Sequence, residues 1–230
     1  MKNRYLLVLM ASACLSVASL TVDAQNIMPF GDSITAFGAA PQSSYRYWLY
    51  ADLTNAGFSG FNFVGNQNGV AGGAPANSWP LQHYEGGGGD DSITTADGVG
   101  LAQSAVGYSP DVVLLELGAN DPQNGITPGQ SETNLEQIIQ TFASANSGVI
   151  VLIATPPRDA NQPHANIARE DAIIGKVVHT EKKAGVNVLL VSLAGYNPHN
   201  DTSDGTHPNV KGEQYIAKQF FNALKKAKVF

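Results

Sequence analysis

Five short apolar runs rich in Val, Ile, Leu and Phe recur along the chain, at residues 27–30, 61–64, 111–117, 149–155 and 186–192. Their nearly continuous apolar character suits strands covered on both faces, the situation of a parallel sheet between helical layers. The segments between them carry apolar residues at helical spacing. Leu135, Ile138, Ile139 and Phe142 fall on one helix face, and Ile216, Phe220, Phe221 and Leu224 repeat the pattern while Lys211, Lys218, Lys225 and Lys226 are left for solvent. Strand and helix alternate throughout, which predicts an α/β fold: a three-layer α/β/α sandwich around a five-stranded parallel sheet of flavodoxin-like order. A chain of 230 residues with 43% hydrophobic content can bury one core of that size. No break in composition divides residues 25–230, so they are expected to form one domain.

Residues 1–24 read differently. Lys2 and Arg4 precede an apolar stretch from Tyr5 to Leu20, and Val22-Asp23-Ala24 sets a small residue before Gln25. This is the pattern of a secretory signal peptide cleaved after Ala24, and it predicts a secreted protein, extracellular or periplasmic. The stretch falls short of the ~20 residues of a spanning helix and is diluted by Ser12, Ser16 and Ser19. The single cysteine, Cys14, lies inside it, so residues 25–230 can form no disulfide. Ala11-Ser12-Ala13-Cys14 is a faint match to a lipid-attachment signal, lacking the usual leucine. Removing residues 1–24 takes away two basic residues and one acidic residue, moving the formal charge from −6 to −7. An acidic surface repels phosphate backbones, and no basic amphipathic segment follows the leader, so neither nucleic acid nor a membrane surface is an expected partner.

Three motifs carry chemistry. Gly31-Asp32-Ser33-Ile34-Thr35 follows the first apolar run, Gly118-Ala119-Asn120-Asp121 follows the third, and Asp204-Gly205-Thr206-His207-Pro208 follows the fifth. In an open parallel sheet the segments after the strands share one rim, where ligands bind, so these motifs converge. A serine hydroxyl is a weak nucleophile and needs a general base and donors for an oxyanion. Here Ser33 is the candidate nucleophile, His207 the base, Asp204 its orienting carboxylate and Asn120 a side-chain oxyanion donor. Each motif alone has a plainer reading, as a turn serine or a capped helix start. Asp32 and Asp121 read as acceptors that fix their own turns. His199, Asp201, Asp204 and His207 form an alternative metal-ligand set, but that leaves Ser33 and Asn120 unexplained and no His-Glu-x-x-His is present. The glycine run 86–89 lacks the Gly-Lys-Ser/Thr of a phosphate loop. No cofactor or metal is required. The long Gly-, Pro-, Asn- and Gln-rich stretches 66–90 and 155–165 read as walls of the cleft.

Together these blocks resemble the GDSL, or SGNH, hydrolase superfamily. They are most similar to the acetyl esterases of carbohydrate esterase family three, through Met-Pro-Phe-Gly-Asp-Ser-Ile-Thr at 28–35, Ser44-Tyr45-Arg46 before the first helix, Phe63-Val64-Gly65 on the second strand, and His83 with Glu85-Gly86 before the glycine run. The resemblance implies the SGNH fold, catalysis by Ser33, Asp204 and His207, and an oxyanion hole of the Ser33 N–H, the Gly89 N–H and the Asn120 amide. The family usually shows a Gly-x-Ser-Gly-Trp-like stretch where this chain has Gly86 to Asp90, and a shift of one residue puts Gly88 in the role of Gly89. Trp79 and Tyr84 are candidates for stacking on a sugar ring, or for pinning their loop. Tyr45, Trp48 and Tyr50 are open to either use, and Arg46 reads first as an ion pair at a helix start. The implied activity is hydrolysis of short acyl esters, acetyl above all, on carbohydrates such as acetylated xylan, so the expected partner is a small ester or acetylated polysaccharide. Two alternatives are a lipolytic esterase or lysophospholipase of the same superfamily, and an inactive carbohydrate-binding protein on the hydrolase fold. The Gly-, Asn-, Gln- and Ala-rich make-up of 66–90 favours a polar substrate.

Overall fold

The structure is a computed structural model that describes residues 24–36, 44–67 and 92–230. The leader up to Asp23, and with it Trp79, Tyr84, Gly88 and Gly89, lies outside the described residues. Five strands form one parallel sheet: β1 (Gln25–Gly31), β2 (Phe61–Phe63), β3 (Val112–Glu116), β4 (Ile150–Ala154) and β5 (Val188–Val191). Their order, β2-β1-β3-β4-β5, is the flavodoxin-like order expected from the sequence. The central ladder pairs Ile27 with Val112 and runs to Gly31 opposite Glu116.

Side chains alternate across this sheet and feed two separate cores. On one face Met28, Phe30, Val113, Leu115, Val151 and Ile153 pack with α3 (Thr95–Ala105), α4 (Pro128–Ala145) and α5 (His164–Lys183). On the other, Ile27, Val112, Leu114, Leu152 and Val191 pack with α2 (Ser44–Asn55) and α7 (Val210–Lys226). Two single-turn helices, α1 (Ser33–Ala36) and α6 (Pro198–Asp201), lie in the connections. The apolar stripes are where the spacing puts them: Leu135, Ile138, Ile139 and Phe142 are buried in α4, and Ile216, Phe220, Phe221 and Leu224 in α7. Phe142 meets Phe30 edge-on at 5.5 Å, and Phe220 stacks on Tyr45 at 5.2 Å. Lys211, Lys218, Lys225 and Lys226 are exposed.

Helix starts follow local chemistry. Thr94 with Asp97 and Thr127 with Gln130 form reciprocal capping boxes at α3 and α4, and the Asn209 side chain accepts the first amides of α7. The α2 region departs from expectation. Ser44-Tyr45-Arg46 is the first turn of α2 and does not precede it, and the one-turn α1 comes earlier. Arg46 is fully buried, and its guanidinium donates to the Thr35 and Ala36 carbonyls and to Ser44 Oγ at 2.9–3.2 Å, tying α2 back to the end of α1. Tyr45, Trp48 and Tyr50 are packing residues: the Tyr45 ring is buried against α7, Trp48 Nε1 donates to Glu213 at 3.0 Å, and Tyr50 lies against Phe61. Among the described residues no helix is long and apolar enough to cross a membrane.

The α2–α7 layer depends on Phe220. Replacing Phe220 by Ala removes a fully buried ring and its stack on Tyr45, and is expected to cost about 3–5 kcal/mol in urea unfolding. A cost under about 1 kcal/mol would show that this layer is not a close-packed core.

Candidate active site

β1 ends at Gly31 because nothing larger fits: a Cβ there would overlap the Glu116 carbonyl oxygen and the Thr35 hydroxyl. The chain then turns sharply on Asp32, which is buried. Its Oδ1 accepts from the Ile34 N–H at 3.0 Å, and its carbonyl accepts from the Thr35 and Ala36 N–H groups. Ser33 thereby opens α1 at the end of the strand, and its N–H has no acceptor among the described residues.

The second half of the site comes from the segment between α6 and α7. His207 Nε2 lies 3.2 Å from Ser33 Oγ, and His207 Nδ1 lies 2.8 Å from Asp204 Oδ2. The other Asp204 oxygen accepts the His207 and Thr206 backbone N–H groups at 2.7 and 2.9 Å. Burial raises the Asp204 carboxyl, but the hydrogen bond from the His207 ring and those two backbone donors outweigh it and hold the group at about 2. Asp204 therefore stays anionic beside the imidazole, fixing the ring so that Nε2 faces the serine.

This catalytic-loop candidate is braced from the β4–α5 connection. Ala160 N–H donates to the Gly205 carbonyl at 2.8 Å, Asn161 Nδ2 reaches the Asp204 carbonyl and Thr206 Oγ1 at 3.1 and 2.9 Å, and Thr206 Oγ1 pairs with Asp159 at 3.1 Å. The stretch expected to wall the cleft after β4 thus also holds the Asp204–His207 turn. Asn161 carries no sequence signal, since an asparagine between prolines looks like any loop residue.

The third motif approaches from β3. Gly118 adopts φ +114°, which a side chain would strain, and the turn swings Asn120 toward the serine turn. Asn120 Nδ2 donates to the Ile93 carbonyl at 3.0 Å and makes a longer contact of 3.4 Å to Asp32 Oδ2. The Asp121 carboxylate was expected to fix its own turn, but the donors that meet it lie on α3 and α4. It is buried, and it accepts from Thr95 N–H at 2.8 Å, from Thr95 Oγ1 at 2.6 Å and from the Ser131 hydroxyl, tying the starts of α3 and α4 to the motif. Buried acids escaped the sequence reading, Glu116 and Glu170 among them. Glu116 ends β3 beneath the serine turn, and Glu170 on α5 pairs with Arg169 at 2.6 Å while burial pushes its carboxyl up to about 7. The signal for Glu116 was available: it is an acid set between Leu115 and Leu117 in a run buried on both faces.

The alternative metal set is not assembled. Asp201 pairs with Lys211 at 2.9 Å and accepts the Asn197 N–H at 2.8 Å, while Asp204 faces His207. Among the described residues no group of three or more His, Cys, Asp or Glu is placed to hold a metal.

Two outcomes follow from the Asp204 geometry. Asp204→Asn keeps an acceptor near Nδ1 but removes the charge, and should lower kcat on p-nitrophenyl acetate by about 10²–10⁴. Because the Asp204 carboxyl lies below its ordinary 3.8, its ionised form favours the folded state; that contribution is present above 3.8 and lost as pH falls toward about 2. Stability of Asp204→Asn, followed by circular dichroism across that window, should therefore fall less steeply with acid than that of the parent. An equal slope would contradict the assignment.

A family model described as GDSL-like Lipase/Acylhydrolase matches residues 30–215. The chain is 26% identical over 219 residues to a multidomain esterase of Ruminococcus flavefaciens, covering 86% of this chain but only 28% of that protein. It is 24% identical over 221 residues to the esterase TesA of Pseudomonas aeruginosa, covering 94% of this chain and 97% of that one. The solved structure of a Clostridium thermocellum family 3 carbohydrate esterase superposes with a TM-score of 0.72 at 25% identity, over 90% of this chain and 98% of that chain. A family match of that extent, on the fold described above, makes this chain a member of the GDSL-like lipase/acylhydrolase family, and an esterase by class.

Proposed function

We propose that the protein is a secreted serine esterase that removes short acyl groups, acetyl foremost, from carbohydrate hydroxyls such as those of acetylated xylan. One observation carries the chemistry: the hydrogen-bonded series Ser33 Oγ, His207 Nε2, His207 Nδ1 and Asp204 Oδ2, with contacts of 3.2 and 2.8 Å, at the carboxyl-end rim of a parallel sheet. Ser33 Oγ attacks the acyl carbon and its proton passes to Nε2. The tetrahedral oxyanion is met by the Ser33 N–H, the Gly89 N–H and the Asn120 amide, which exchanges its long 3.4 Å contact with Asp32 for the oxyanion; such donors are worth about 3 kcal/mol each. Collapse breaks the bond to the sugar oxygen, which leaves with the proton from Nε2. Water then gives a proton to His207 and attacks the acyl-serine, releasing acetate and returning the proton to Ser33.

The carbohydrate side of the reading is supported by the likeness to a family 3 carbohydrate esterase and by the polar composition of residues 66–90. Trp79 and Tyr84, in that stretch, are the proposed sugar-stacking residues. The leader pattern of residues 1–24 supports secretion. A lipolytic esterase is the second reading, favoured by the breadth of a family named for lipases and acylhydrolases. The complete Ser33, Asn120, Asp204 and His207 set weighs against an inactive binding protein.

Acetate release from acetylated xylan, set beside hydrolysis of p-nitrophenyl acetate and octanoate, separates these readings. The proposal expects wild type to release acetate from xylan and Ser33→Ala to lose activity on every ester. Octanoate cleavage with xylan untouched would discard the carbohydrate substrate and keep the serine mechanism, whereas full activity in Ser33→Ala would discard the mechanism.

A further inference from the structure

Glu116 stands opposite Gly31 at the end of the β1–β3 ladder, and its side chain is fully buried. Counted as an anion, it has no donor to either carboxylate oxygen among the described residues. Its carboxyl reaches that of Asp32, which is also fully buried. Asp32 has donors of its own, the Ile34 N–H on Oδ1 and, at longer range, the Asn120 amide on Oδ2. The two phenols that sense the Glu116 charge are engaged elsewhere: Tyr196 donates to the Asp201 carbonyl at 2.9 Å, and Tyr45 pairs with Thr35 Oγ1 at 3.3 Å.

Two carboxylates in contact away from water do not both ionise, because neither solvent nor a cation offsets their repulsion. The proton belongs on the partner with no other donor, since the anion is stabilised where N–H groups point at it. We infer that Glu116 is a positioning residue of the esterase site: as a neutral acid it donates its O–H to Asp32, and the Asp32 anion so held orients the serine turn. Burial pushes the Asp32 carboxyl up to about 6 despite the Ile34 N–H bond, and burial together with the Asp32 charge drives Glu116 well above its ordinary range, the directions expected of a pair that shares a proton. The inference rests on the reading of Ser33 as nucleophile, with its backbone N–H as an oxyanion donor. Without the Glu116 donor, Asp32 is left as a buried anion short of one hydrogen bond, and the turn it braces through the Ile34 N–H, which carries Ser33, is held less firmly. That loss is felt when charge develops on the substrate oxygen, so it falls on kcat and leaves KM nearly unchanged.

The test uses Glu116→Leu, which cannot donate, and Glu116→Gln, whose amide N–H can. With p-nitrophenyl acetate, Glu116→Leu should lower kcat about tenfold or more at similar KM, and Glu116→Gln should restore most of that loss. Equal kcat in Glu116→Leu and wild type, or equal losses in the two variants, would overturn the inference. If Glu116→Leu does not fold, infrared difference spectra of wild type against Glu116→Gln decide independently. At neutral pH the wild type should show the C=O stretch of an un-ionised carboxylic acid that Glu116→Gln lacks. Absence of that difference overturns the proton-sharing pair, whatever Ser33→Ala does to hydrolysis, so failure here is distinct from failure of the esterase mechanism.

Discussion

β1 and β3 run side by side from Ile27 opposite Val112 to Gly31 opposite Glu116, and the site depends on that register. Because both strands end at the same level, the turn carrying Ser33 and the turn carrying Asn120 leave the sheet as neighbours. Asn120 Nδ2 then lies 3.4 Å from Asp32 Oδ2 across the gap. A slip of one residue would move every side chain of a strand to the opposite face and break both cores at once. Hydrophobic burial on two faces thus fixes the relative height of two turns to within hydrogen-bonding tolerance. β5, two strands away from β3, leads through α6 to His207 at the same rim.

Three carboxyl groups around the serine illustrate how placement sets protonation. Asp204 is exposed, but it is surrounded by N–H donors and an imidazole and is held at about 2. Asp32, buried with fewer donors, is raised to about 6, and Glu116, buried with no donor among the described residues, is raised well above its ordinary range. Groups of one chemical type are driven apart by solvation and hydrogen bonding, which separates an anion that orients a base from a neutral acid suited to donate. In the proposed mechanism the first acts on His207 and the second acts through Asp32.

The strands and the long helices were legible because their signals are local: β-branched runs for the sheet, and spacings such as Leu135, Ile138, Ile139 and Phe142 for helices. The Asp204–His207 contact was legible for the same reason, since three residues of one turn bring the two side chains together. What sequence could not supply were partners far apart in the chain. Asn161 braces a loop more than forty residues away, and Asp121 joins the starts of two helices through Thr95 and Ser131. The placement of Ser44-Tyr45-Arg46 differed because Arg46 folds back onto the carbonyls of α1, a tertiary contact that ties the first turn of the helix in place. Glu116 was passed over inside the 111–117 run because its neighbour, Asp32, comes from another strand's turn.

The central claim is that Ser33 is a nucleophile made reactive by His207. Reaction with a fluorophosphonate, followed by peptide mass spectrometry, tests it without any choice of substrate. The account predicts a single adduct on the peptide containing Ser33 in wild type, slowed by about 10³ or more in His207→Ala. Labelling at a different serine, or equal labelling of Ser33 with and without His207, would contradict it.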